Sequence, residues 1–206
     1  MAAVADSDPV RAFVGPLRGG APKPLEIARA LDDMTHAERV RAIRAAGRSE
    51  QRRLYEAVDG FRALALADMV PATVPAMTEV RHHGKNTLPA FTHFEKRFCR
   101  PAAADAASPD VLWGYNEGSA RWITGPGYFV LRPDAQRGEL LVDYYQVPPQ
   151  HPAGWPAIRP NDRGLGQFVY GFMIDTVRGV SKHVTIGSAA RKGKDIGSWF
   201  LLCRQD

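Results

Sequence analysis

Apolar positions follow two different periods along this chain, and the change between them divides it. In the N-terminal third they recur at helical spacing. Val10, Phe13, Val14 and Leu17 fall at i, i+3, i+4 and i+7, which predicts a short amphipathic helix ended by Gly19-Gly20. Pro24 suits the start of a second helix whose Leu25, Ala28 and Leu31 share a face and which stops at Asp32-Asp33. Thr35 and Glu38 make a capping box for a third, followed by Val40 and Ile43 on one side. Gly47 and Ser49 mark a stop and a fresh cap, after which Leu54, Val58, Phe61 and Leu64 continue the stripe. Pro71 and Pro75 then predict an extended linker.

From Val111 to Val147 the period shortens. Apolar runs are broken at Asn116–Ser119, Gly125–Gly127 and Pro133–Gly138, the punctuation of strand, turn, strand, turn, strand. This stretch predicts an antiparallel meander rich in aromatic side chains. Around it the reading is mixed. Met77–Val80 is a candidate short strand, and Asn86 or Thr87 caps an expected helix that carries Phe91, Phe94 and Phe98 on one side. The alanine-rich segment 102–110 is read as a surface loop. The proline-rich segment after Val147 has the length of a lid or binding loop, with Trp155 expected to pin it to the core. Leu165, Phe168, Val169, Phe172, Met173, Thr176 and Val177 give the longest helical pattern in the chain. Val180–Gly187 alternates like a strand, with Ser181, His183 and Thr185 on one side, and residues 198–204 form a final strand.

The fold class expected is therefore α+β: short N-terminal helices followed by a curved antiparallel sheet of about five or six strands, curling at most into a half-barrel, with the 165–177 helix packed on it. A single domain spans 1–206, with a helical region at 1–70 and a sheet region at 77–206. At 206 residues and 45% hydrophobic content, such a chain buries a core without metals or disulfides. Cys99 and Cys203 lie far apart and outside any metal-binding spacing, which fits a reducing compartment and a cytoplasmic location. The acidic, proline-containing N-terminus is unlike a signal peptide, and no apolar run reaches the length of a membrane span, so no membrane partner is expected.

Charge refines this picture. The net charge is +5, and the surplus sits in two segments, Arg81–Arg100 and Arg178–Asp206, on either side of a slightly acidic meander. If they meet, Arg81, Lys85, Lys96, Arg97 and the Arg191–Lys194 loop compose a candidate anion site, though no Walker or GxGxxG order is present. His82, His83 and His93 are weak candidate metal ligands, since neighbours on a strand point to opposite faces. His183 between Ser181 and Thr185 is a candidate proton shuttle, and Cys99 between Arg97 and Arg100 a candidate thiolate. Trp113, Tyr115, Tyr128, Tyr144 and Arg121 line a candidate aromatic cavity, with Lys182, Lys85 and Arg97 on its rim.

These residues favour a small-molecule-binding protein with an aromatic pocket and a basic rim for an anionic, partly apolar ligand. No motif assigns a reaction or a cofactor. The alternatives are a nucleic-acid or protein interaction module using the basic face, and a structural protein that homodimerises through its N-terminal helices. The turn at Ala46-Gly47 admits a helix-turn-helix, but such turns are common outside DNA-binding proteins.

Overall fold

The computed structural model describes residues 8–104 and 109–206, so the loop expected at 102–110 lies partly outside the described residues. Eight strands follow in chain order: β1 (Val80–Asn86), β2 (His93–Cys99), β3 (Leu112–Glu117), β4 (Phe129–Asp134), β5 (Glu139–Asp143), β6 (Ile174–Gly179), β7 (Val184–Arg191) and β8 (Lys194–Arg204). Each pairs antiparallel with the next, and β8 returns to β1, from His82 opposite Arg204 to Asn86 opposite Phe200. The sheet is α+β and antiparallel as expected, but it closes into a complete barrel rather than a half-barrel. Closure leaves no edge strand among the described residues.

Two segments with helical apolar spacing turn out to be the missing strands. Phe94 and Phe98 are four apart, a spacing that a helix face and a strand face share, and here Phe94, Lys96 and Phe98 project into the barrel from β2. The expected 165–177 helix survives only as the single turn α7 (Gly166–Val169). Gly171 abuts the Gln167 carbonyl, Phe172 takes a left-handed backbone (φ 63), and the chain then runs straight into β6. The β-branched Ile174, Thr176 and Val177 favour that outcome. Strand β7 starts at Val184, so Ser181 and His183 occupy the preceding turn rather than one strand face with Thr185. The hairpin β7–β8 turns tightly on Lys192-Gly193, with both residues at positive φ.

The N-terminal helices follow the sequence closely: α1 (Pro9–Arg18), α2 (Pro24–Asp32), α3 (His36–Ala45) and α4 (Arg48–Ala57). The Thr35–Glu38 capping box opens α3, and Gly47 rather than Ser49 caps α4, its amide donating to Glu50 Oε2 at 3.1 Å. Phe13, Leu17, Ile27, Leu31, Ile43 and Leu54 from these helices pack on the outer faces of β7 and β8, against Val184, Ile186, Leu201 and Cys203. A short helix, α5 (Leu66–Met69), brings Leu64, Leu66, Met69 and Val70 into the interior cluster with Val80, Phe98, Leu131 and Leu140. One end of the barrel is thereby plugged.

On a third outer face, Trp113, Tyr115, Tyr128 and Cys99 pack against Trp155 from the proline-rich loop. The indole donates to Glu79 Oε2 at 2.8 Å, and its ring lies 4.8 Å from that of Tyr115. The loop is thus fastened along the barrel wall. Inside, glycines make room for rings: a side chain at Gly84 would collide with Phe94, one at Gly114 with Phe129 and the Arg97 carbonyl, and one at Gly187 with Phe200.

Candidate functional site

Opposite the plugged end, the loops β1–β2, β3–β4, β5–β6 and β7–β8 surround a cavity of about 470 Å³. The short α6 (Arg121–Thr124) and α7 lie against each other at its mouth, Gly166 close to the Thr124 carbonyl. Its walls are largely apolar, with Phe94, Ala189, Phe200, Met173 and Tyr170 among them. Its floor is polar, because three strands each turn one polar side chain inward at the same level.

Lys96 is the centre of that floor. The alternation of β2 carries it inside, where it is 1% exposed. Asn116 lies directly across the β2–β3 ladder and accepts a hydrogen bond from Lys96 Nζ at 2.9 Å; the Tyr144 hydroxyl accepts another at 2.5 Å. The rings of Phe129, Tyr144 and Phe200 surround the ammonium at 4.8, 5.1 and 5.1 Å from their centroids. Among the described residues no carboxylate lies within 4.0 Å of it. Burial pushes the amine below its ordinary range, and the more distant Asp175 partly offsets this.

Asp175 faces the same space from β6. Burial raises its carboxyl, which Lys96 and a backbone hydrogen bond at Ala190 pull back down. Its Oδ1 is buried without a hydrogen-bond partner. Tyr144 stacks on Tyr170 at 5.5 Å, and burial lifts its hydroxyl well above the usual phenol range. The floor is held from outside the cavity by Asn161 of the proline-rich loop, which donates to the carbonyls of Tyr128 and Tyr144 at 2.6 and 2.9 Å. A cavity of this form offers an apolar body space, a buried cation whose partners are neutral, and an acceptor awaiting a donor.

Of the candidate ligand-binding residues, the structure brings Tyr144 to the floor and Arg121 to the rim, the latter paired with Glu117 at 2.7 Å. Trp113, Tyr115 and Tyr128 belong instead to the outer cluster under Trp155. Arg97 points outward and is paired with Glu79 and Glu95. Lys85 is on β1 with an outward side chain, and Lys182 lies in the β6–β7 turn at the plugged end. The two basic segments do become neighbours, as β1, β2, β7 and β8, but their charges disperse. Lys96 goes inside, Arg81 and Arg97 meet carboxylates, and Arg178 pairs with Glu139.

The weaker candidates are scattered. Burial pushes the Cys99 thiol up to about 12, with Glu79 adding to the effect, which opposes a thiolate. Ser181 is buried in the turn, and His183 Nδ1 meets Asp206 Oδ1 at 2.8 Å, far from the cavity. His82 is inside near the plug, Nε2 2.9 Å from the Met69 carbonyl, and burial takes it down to about 3. His83 faces outward beside Glu95, and His93 is exposed. Among the described residues no group of three or more metal-ligating side chains converges. Sequence reasoning missed that Lys96 bonds Asn116 and Tyr144 inside the barrel, and that Asp175 and Tyr170 line the same cavity. The available signal was a lysine between Phe94 and Phe98, which strand alternation places on an apolar face.

No protein-family model, curated protein or solved structure matches this chain. The fold and site are therefore interpreted on their own chemistry: an antiparallel barrel, plugged at one end, with a polar-floored cavity open at the other.

Proposed function

We propose that this protein binds a small, partly apolar molecule with an acidic head, the head meeting Lys96 and the body filling the barrel mouth. The observation that carries this reading is Lys96 itself. A buried ammonium costs several kcal/mol in desolvation, and here its hydrogen-bond partners are neutral oxygens and its nearest neighbours aromatic rings. An anionic head entering the cavity would supply the direct counter-charge that Asp175, beyond 4.0 Å, does not. Asp175 adds selectivity, since its unpartnered oxygen suits a head that also carries a hydroxyl or other donor.

Binding of long-chain carboxylates and of the matching alcohols, followed by calorimetry on the wild type and Lys96→Met, tests the assignment. A charge-assisted hydrogen bond should favour the carboxylate by roughly tenfold to a hundredfold, and Lys96→Met should abolish that preference. Equal affinity for acid and alcohol in the wild type would defeat it, as would a preference that persists without Lys96.

A further inference from the structure

We infer that the open end of the barrel docks on an anionic lipid bilayer, with the loop tips around the cavity mouth seated among the headgroups. This goes beyond the ligand reading and does not depend on it. Among the described residues, every exposed large apolar side chain except Leu25 lies at this end, on its loops and short helices or, for Ile196, at the start of β8. Trp122 on α6 is 80% exposed, Phe168 on α7 68% and Phe91 in the β1–β2 loop 57%. Side chains of this size, concentrated at one pole, mark a surface that is covered when the protein works.

Backbone strain coincides with the same residues. Phe91 and Phe172 hold left-handed conformations (φ 53 and 63) that bulky side chains avoid, and both are exposed. Both rings nevertheless leave about half of their surface in solvent. Charge supplies the choice of partner. Arg159, Arg163, Lys192 and Lys194 are exposed at this rim and form no ion pair within 4.0 Å among the described residues, against exposed Asp162 and Asp195. Lys192 Nζ sits over the Phe172 ring at 4.9 Å, so cation and apolar group are interleaved.

A protein interface concentrates its apolar anchors in one packed centre. Here the centre is a hole and the anchors ring it on separate loops, a form that suits insertion of single side chains between headgroups while lysine and arginine meet phosphates. No described helix is long and apolar enough to cross a membrane, so the contact is peripheral.

The test is flotation of the intact protein with phosphatidylcholine vesicles, with and without added phosphatidylglycerol, while tryptophan emission is recorded. Binding to the anionic vesicles, weakened by salt, with a blue shift and quenching by brominated acyl chains, is the expected result. The double variant Trp122→Ser/Phe168→Asp should bind at least about tenfold more weakly with its circular dichroism unchanged. Absence of vesicle binding by the wild type would overturn the proposal, and so would binding unaffected by the double variant. A stable oligomer that shields Trp122 from quenchers in the absence of lipid would also overturn it and assign the collar to a protein contact. Carboxylate affinity measured on the single variant Trp122→Ser, whose side chain does not line the cavity, reports on the cavity separately.

Discussion

Lys96 and Asp175 make stability depend on pH in a manner that can be worked out from sign alone. Burial holds the Lys96 amine down at about 8 in the folded protein, against 10.5 in the free side chain. Between those values the unfolded chain binds more protons, so stability rises as pH rises. Asp175 is shifted the other way, from 3.8 up to about 7, so the folded chain binds more protons in that window and stability falls as pH rises through it. Urea midpoints measured from pH 5 to 10 should show the alkaline rise in the wild type and its loss in Lys96→Met. A rise of equal size in the variant would show that other groups produce it. Space around the same floor gives a second prediction. Gly114→Ala places a Cβ 2.5 Å from the Phe129 ring and 2.6 Å from the Arg97 carbonyl, and the backbone atom cannot rotate away. Overpacking of this kind should lower stability by about 1–3 kcal/mol in a denaturant titration.

At the scale of elements, legibility tracked how local the determining physics is. The α3 capping box, the α4 start near Gly47 and the Val111–Val147 meander depend on residues a few positions apart, and all were visible as spacing and turn chemistry. Strands β2 and β6 were not, because Phe94 and Phe98 satisfy a helix stripe as well as a strand face, and Thr176 and Val177 of β6 continue the helical spacing of Phe168 and Phe172. Their partners across the barrel decide the matter, and Lys96 against Asn116 is a contact between segments that the sequence does not align. The cavity floor was hidden for the same reason: its four polar groups come from β2, β3, the end of β5 and β6. Trp155 was legible as a pin, since a large indole in a proline-rich loop has few other places to go. Its burial against Tyr115 and Tyr128, and its hydrogen bond to Glu79, predict the effect of removing it. Trp155→Ala should cost about 3–5 kcal/mol and open the segment around it to limited proteolysis before the barrel unfolds. Because Asn161 ties that loop to Tyr144, the same variant should also loosen the cavity floor.

For the whole molecule, the relation between helices and barrel decides whether the N-terminal region is an arm or a part of the core. Phe13, Leu17, Ile27, Leu31, Ile43 and Leu54 are each 1% exposed or less, and the surface that covers them is the outer face of β7 and β8. Gln51 reaches back to the Ala46 carbonyl, Arg178 of β6 lies over the Tyr55 ring at 4.1 Å, and Arg48 lies over the ring of Trp199 on β8 at 5.5 Å. A region that serves only to join two copies would turn its apolar stripe toward the partner. Here the stripe is already occupied by the chain's own barrel. Deleting residues before Phe61 would strip Val180, Val184, Ile186, Leu201 and Cys203 of their cover and put that apolar face in water. The truncated chain should aggregate or lose its cooperative thermal transition, as read by light scattering and calorimetry. A folded, monomeric barrel that stayed in solution after the deletion would instead make the helices a detachable module.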